Sequence, residues 1–225
     1  MPLNNDLKRL VSVVAQDDIV MGKETPRDAL TFSVRMRQGY DSAKAKEAVD
    51  GVLDVLGLNN CADTQIGIPG IAKGISSSEK KRTNIGSELV TEPYIMILDE
   101  PTTGLDSVNA SRIGQILRDL ARSSGRTVIC TIHTPSSELF NMFDDLLLLG
   151  KGHVVYHGPR ADAVRYFASA GYAVPPRTNP TEHYMNLLQK PIDELQLLWE
   201  AWGSSCLSTW RAAPPSRRWG QRGRS

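Results

Sequence analysis

Ile95-Met96-Ile97-Leu98-Asp99-Glu100-Pro101-Thr102-Thr103-Gly104-Leu105-Asp106-Ser107 is the stretch on which the reading of this chain turns. Four apolar residues in a row, two of them β-branched, have the length and composition of a short buried strand. The run stops at two adjacent carboxylates, and Pro101 and Gly104 mark the turn that follows. Ligands of open parallel sheets lie beyond the carboxyl ends of the strands, so an acid pair there faces the place a nucleotide would take. Taken alone the pair reads equally well as surface charge at a strand end. The full string through Asp106 is far more specific.

Outward from this stretch, strand-like and helix-like segments alternate. Leu10-Val11-Ser12-Val13-Val14-Ala15 reads as a strand, and Thr25-Pro26-Arg27-Asp28 opens a helix with an N-cap, a proline at the first helical position and an acid in the first turn. Val49, Val52, Leu53 and Leu56 form one apolar stripe on a second helix that stops near Gly57. Ile113, Ile116, Leu117 and Leu120 form another after a Ser107 cap, closed by Gly125, and Thr127 to Ile132 is the next strand. Strand, helix, strand in that order predicts an α/β fold with a parallel sheet.

The composition bounds the class. With 225 residues, 40% hydrophobic and 23% charged, the chain can bury one sizeable core and a small subdomain. A formal net charge of +1 argues against a dedicated nucleic-acid surface. None of the 25 acidic residues but five of the 26 basic ones lie beyond position 200, so the first 200 residues carry −4. Trp199, Trp202, Trp210 and Trp219 crowd into the same end, beside Pro214-Pro215. A boundary is therefore expected near Pro191, with 191–225 a Trp- and Arg-rich tail that lacks helical or strand period and is expected to be disordered. Cys61, Cys130 and Cys206 are odd in number and far apart, forming neither a disulfide framework nor a metal cluster, which fits a reducing compartment. The apolar runs fall short of the roughly 18 to 20 residues a membrane-spanning helix needs. No secretory signal is expected from the first residues.

Candidate chemistry collects at the predicted strand ends. Asp99 can hold Mg²⁺, directly or through water, because magnesium takes oxygen ligands and keeps much of its hydration shell. Glu100 can polarise an attacking water. Gln16-Asp17-Asp18 follows the first strand, where the Gln16 amide can reach the metal or that water. His133 ends the Thr127 strand, and it and Glu100 are expected to open onto one edge. Ser76 with Glu79 is a capping box that collects free N–H groups and the positive end of a helix dipole, a natural phosphate receptor. By itself the segment Ile75-Ser76-Ser77-Ser78-Glu79-Lys80-Lys81-Arg82 reads as a capped surface helix with a solvated basic turn. His153 and His157 are four apart, but Lys151-Gly152 and Gly158-Pro159 flank a short strand rather than a metal-binding helix.

Together these residues resemble the nucleotide-binding domain of ATP-binding cassette transporters, and in detail the G subfamily of half-size exporters, from about Leu10 to Leu188. The resemblance implies an incomplete P-loop NTPase-like parallel sheet with a helical subdomain over about 25–92, residues 1–190 being a partial cassette. By that likeness Gln16 is the Q-loop residue, Ile75 to Glu79 the signature and Ile95 to Asp99 the Walker B strand. Glu100 is then the general base, Gly104 to Ser107 the D-loop and His133 the switch histidine. Glu100 and His133 are the implied catalytic residues. Gln16, Asp99, Ser76, Ser77, Ser78 and Asp106 are the implied nucleotide contacts, with Asp99 and Gln16 on the Mg²⁺. Gln16 to Val20, His133 to Ser137 and Asn179-Pro180-Thr181 look like the G-subfamily flavour. The implied ligand is ATP with Mg²⁺, and the implied role is ATP hydrolysis driving export. The implied partners are a second cassette in a head-to-tail pair and a transmembrane domain, placing the assembled chain at the cytoplasmic face of a membrane and an unassembled one in the cytoplasm.

Three departures qualify the likeness. The pattern G-x-x-x-x-G-K-[ST], whose backbone N–H groups and lysine cradle phosphates, does not occur; Gly67, Gly70, Lys73 and Gly74 are the nearest approach, at the wrong spacing. The chain is thus expected to begin after that loop, to lack sheet strands that normally support the Ile95 strand, and to hydrolyse ATP weakly or not at all. Ser77 and Ser78 stand where the family carries two glycines, and their side chains are expected to narrow the approach of a phosphate. A membrane-spanning half is expected after the cassette, and no apolar run among the 225 residues is long enough to supply one. The alternative reading is a non-hydrolysing interaction or regulatory module, or a gene fragment, pairing with an intact cassette.

Overall fold

The computed structural model describes residues 10–68, 70–191, 195, 196 and 198. The predicted Trp- and Arg-rich tail therefore lies almost wholly outside the described residues, and with it Cys206. The chain divides into two compact units after Met142, within the stretch that the sequence reading treats as one domain.

The first unit opens with β1 (Val11–Val14), followed by α1 (Pro26–Gln38) and α2 (Ser42–Val55). After a 3₁₀ turn at Asn59–Cys61 come α3 (Ser77–Leu89), β2 (Ile95–Leu98), α4 (Ser107–Ser124), β3 (Thr127–Cys130) and the short α5 (Ser137–Phe140). The three strands pair in parallel in the order β1-β2-β3, so among the described residues the Ile95 strand has a neighbour on each side. Local chemistry sets the ends. The Thr25–Asp28 capping box starts α1, and Gly39 closes it in the left-handed conformation. Asp106, not Ser107, caps α4: its Oδ1 accepts the Asn109 N–H at 2.8 Å. The shift by one residue follows from the β-region backbone of Asp106, which leaves Ser107 as the first helical residue.

One face of the sheet, with Val14, Met96 and Leu98, is buried in a core shared with Leu30 and Val34 of α1, Val49 and Leu53 of α2, Ile85 and Leu89 of α3, and Ile113, Leu117 and Leu120 of α4. On the other face Val13, Ile97 and Ile129 stand side by side in register and exposed. Strict alternation along β1 makes the difference: Ser12 and Val14 point in, Val11 and Val13 out.

The second unit carries β4 (Asp145–Gly150), β5 (His153–Pro159), α6 (Arg160–Ser169) and α7 (Pro180–Leu188). The hairpin turns on Lys151-Gly152, both at positive φ, as a two-residue loop matching strand twist requires. His153 and His157 sit on β5, and among the described residues no cluster of metal-binding side chains occurs. Val155, Phe167, Tyr184 and Leu187 form the core of this unit, with the Phe167 and Tyr184 rings 4.5 Å apart between centroids. No helix of the described residues is long and apolar enough to cross a membrane.

Candidate functional site

The parallel register aligns the carboxyl ends of three strands: Val14 pairs with Leu98, and Leu98 with Cys130. The chain leaves each strand along the same edge. Gln16 follows two residues after β1, Asp99 and Glu100 directly after β2, and His133 three residues after β3. The strand ends thus bring Gln16, the acid pair and His133 to one edge of the sheet. The pairing continues past the strands proper, since the Asp99 N–H donates to Val14 O at 2.9 Å and the Thr131 N–H to Leu98 O at 3.0 Å.

Thr131 organises the acid pair. Its hydroxyl donates to Oδ1 of Asp99 at 2.6 Å and accepts the backbone N–H of Glu100 at 3.0 Å. Glu100 has φ +47°, a left-handed conformation that non-glycine residues seldom adopt, so this bond holds a disfavoured backbone in place. The Glu100 carboxylate is fixed from the other side by the Thr103 hydroxyl at 2.6 Å. Asp99 is exposed and Glu100 half-buried. Neighbouring Cys130 takes no part, because burial pushes its thiol up to about 11 and keeps it protonated.

The serine segment folds as its capping box requires, but the helix that follows is no surface helix. Ser76 accepts the Glu79 N–H, and Glu79 Oε2 accepts from the Ser76 N–H at 2.8 Å and hydroxyl at 2.7 Å. Burial opposes the Glu79 charge, but the two Ser76 bonds and the charge of Arg82 outweigh it and hold the carboxyl below its ordinary value. Ser76 and Ser77 are exposed, whereas Ser78 is buried, so its hydroxyl does not narrow the approach to the helix N-terminus. The expected solvated basic turn is overturned as well: Lys81 and Arg82 are each only 4% exposed. Arg82 donates to Leu56 O at 2.7 Å and Gly57 O at 2.8 Å, capping the C-terminus of α2. Burial and the nearby charge of Arg112 push its pKa down. Lys81 donates to Gln16 O at 2.7 Å and pairs with Asp18 at 2.8 Å. Among the described contacts none joins Ser76–Ser78 to Asp99, Glu100 or His133; the serine helix reaches the sheet edge through Lys81.

Asp106 lies on the turn after the acid pair, its carboxylate bound by the backbone and side-chain N–H groups of Asn109, which hold it below its ordinary pKa. Sequence reasoning missed Thr131, Lys81 and Arg82. Thr131 had no signal beyond its place in a strand, and a Lys-Lys-Arg run looks the same whether solvated or buried.

Against known families, residues 3–103 match the model described as ABC transporter, and residues 133–196 match that described as ABC-2 type transporter. The chain belongs to the G subfamily of ATP-binding cassette transporters. Over 177 residues it is 42% identical to the broad substrate specificity ATP-binding cassette transporter ABCG2 of Rattus norvegicus, covering 78% of this chain and 27% of that protein. It is 39% identical over 193 residues to the ABC transporter G family member 1 of Dictyostelium discoideum, covering 84% of this chain and 24% of the relative. With the ABC transporter ATP-binding protein/permease wht-1 of Caenorhabditis elegans it shares 42% over 185 residues, 81% of this chain and 27% of the relative. The chain spans about a quarter of the length of these curated relatives. It is thus a partial ABC transporter of the G subfamily, and the ABC transporter match takes in β1, the serine helix and the acid pair. The ABC-2 match begins at His133 and runs through α5, the β4–β5 hairpin, α6 and α7.

Proposed function

We propose that these residues are the catalytic edge and signature helix of an ATP-hydrolysing cassette that drives export across a membrane. The observation that supports this most is the alignment of Gln16, Asp99-Glu100 and His133 at the carboxyl ends of three adjacent parallel strands in register. The residues suit a magnesium nucleotide. Asp99 is an exposed carboxylate whose Oδ1 is engaged by a neutral hydroxyl, which leaves Oδ2 for a hydrated hard cation, and the exposed Gln16, just beyond the neighbouring strand, offers an amide oxygen. MgATP, when bound, supplies the transferable phosphoryl group and a cation that offsets its developing charge. Asp99 and Gln16 would hold the metal. Glu100 orients a water and takes its proton, its carboxylate pre-set by Thr103. His133 donates a ring N–H to a terminal phosphate oxygen, and Asp106 lines the turn beside the nucleotide.

Ser76 and Ser77, at the N-terminus of a 13-residue helix, present N–H groups to the nucleotide of a second cassette paired head to tail. Ile19, Met21 and Ile71 are highly exposed on segments joined by the bond from Gly67 N–H to Gly22 O, which gives an apolar surface for a membrane-spanning partner. The protein would then work at the cytoplasmic face of a membrane. Because no glycine-rich phosphate cradle occurs among the 225 residues, these residues alone are proposed to turn ATP over slowly; loss of one transition-state contact costs about 10² to 10³ in rate.

Titration of MgATP against a fluorescent ATP analogue on the purified chain tests the reading. Saturable, Mg²⁺-dependent binding weakened at least about tenfold by Asp99→Asn, and unchanged by Asp119→Asn on α4, is the expected result, worth about 1.4 kcal/mol. No saturable binding would end the nucleotide reading. Rapid phosphate release abolished by Glu100→Gln would overturn the slow-turnover part alone.

A further inference from the structure

We propose that Lys81 is a positioning residue that latches the loop after β1 to the helix carrying Ser76 and Ser77, so that loop and helix move together. The significance of this latch rests on the nucleotide reading above; the latch itself rests on geometry. The Lys81 side chain is 5% exposed, and its ammonium meets two groups of one short loop: the backbone carbonyl of Gln16 at 2.7 Å and the carboxylate of Asp18 at 2.8 Å. Among the described residues, no backbone–backbone hydrogen bond anchors 17–20, so the ammonium is the main polar hold on this segment. Residues 16 and 81 are 65 apart in sequence, which makes the contact a tertiary one.

The surrounding packing favours a device that can let go. α3 lies against β1. Ser12 Oγ of β1 and Ser78 Oγ and Asn84 Nδ2 of α3 are buried without a hydrogen-bond partner among the described residues. Buried polar groups left unpaired disfavour the packing they sit in, so this seam lacks the full complement of bonds that would lock it. Lys81, on the same helix, makes one hydrogen bond, to Gln16 O, and one ion pair, to Asp18. A displacement of Gln16 must therefore either carry α3, with Ser76 and Ser77 one to two turns from Lys81, or break the Lys81 bonds. An ammonium on the helix with two partners in one loop couples the loop to the helix.

Hydrogen–deuterium exchange on the full chain, without nucleotide, tests this. Lys81→Met is expected to raise exchange of the amides of 16–21 at least about tenfold, while those of 84–89 change less than about threefold. Lys81→Arg, which can still donate to the Gln16 carbonyl and pair with Asp18, is expected to restore most of the protection. Equal loosening of both segments in Lys81→Met, with no rescue by arginine, would make the residue an ordinary core contact and overturn the proposal. So would an unchanged loop. Should Lys81→Met fail to fold, Asp18→Asn decides: loop exchange raised at an unchanged melting temperature supports the latch, and loop exchange unchanged refutes it. Failure of the wild-type chain to bind MgATP would remove the nucleotide reading and leave these exchange results standing.

Discussion

The Thr131 hydroxyl stands between the two acids of the site, 2.6 Å from Oδ1 of Asp99 and 3.0 Å from the backbone nitrogen of Glu100. A residue of β3's extension thus sets both the rotamer of one acid and the backbone of the next. This bond explains how Glu100 holds a left-handed conformation without being glycine.

Thr131→Val keeps the shape and removes both bonds. The variant is expected to lose about 1 kcal/mol of stability, and Thr131→Ser to recover most of it, by urea unfolding followed by circular dichroism. Equal losses in both variants would assign the effect to the methyl group instead.

Arg82 is expected to be among the costliest side chains to remove. Arg82→Met leaves the Leu56 and Gly57 carbonyls at the end of α2 without their donor and should cost about 2–4 kcal/mol. Arg82→Lys should recover less than half, because it loses the Nε–H bond to Ser78 O and its shorter side chain ends before the position of Nη1, the nitrogen that donates to both carbonyls. A melting temperature unchanged in Arg82→Met would contradict the capping role.

Ser76→Ala should cost about 1 kcal/mol at pH 7 through the lost cap. The penalty is pH-dependent. The Glu79 carboxyl is held below its ordinary value of 4.5, so its contribution is fully present above that pH and disappears as the pH falls through the lower folded value. The gap between Ser76→Ala and wild type should accordingly narrow only once the pH has fallen below the ordinary carboxyl value and through the lowered folded one. A gap independent of pH would show that Glu79 does not share in the cap.

Gly74 precedes the serine segment where two backbones touch. A Cβ there would lie 2.1 Å from Ile66 O and 2.5 Å from Gly67 N, and neither atom is the end of a flexible side chain. Gly74→Ala is expected to cost about 2 kcal/mol or more, with lost amide protection over 66–74. Gly51, which has open space around it, is the control: alanine there should be neutral or stabilising by about 1 kcal/mol, from helix propensity.

The order of the elements and most of their ends were legible without coordinates, because they follow from local rules. The apolar run Ile95 to Leu98, the N-cap at Thr25, the capping box at Ser76 and the closing glycine at 125 depend on residues within a few positions of one another. The candidate residues Gln16, Asp99, Glu100 and His133 were legible for the same reason, each lying just beyond a strand. The strand carrying His133 proved two residues shorter than its apolar pattern, since pairing and not hydrophobicity ends a strand.

Local pattern therefore determined which segments are strands and helices, and that the strands run parallel with their carboxyl ends at one edge. Tertiary structure alone decided that Lys81 and Arg82 are buried, that Ser78 turns inward and that Thr131 joins the two acids. The physical reason is that a charge or hydroxyl carries no mark of its partner. Lys81 meets Gln16 and Asp18, and Arg82 meets Leu56 and Gly57, only after the chain has closed loops of 25 residues and more.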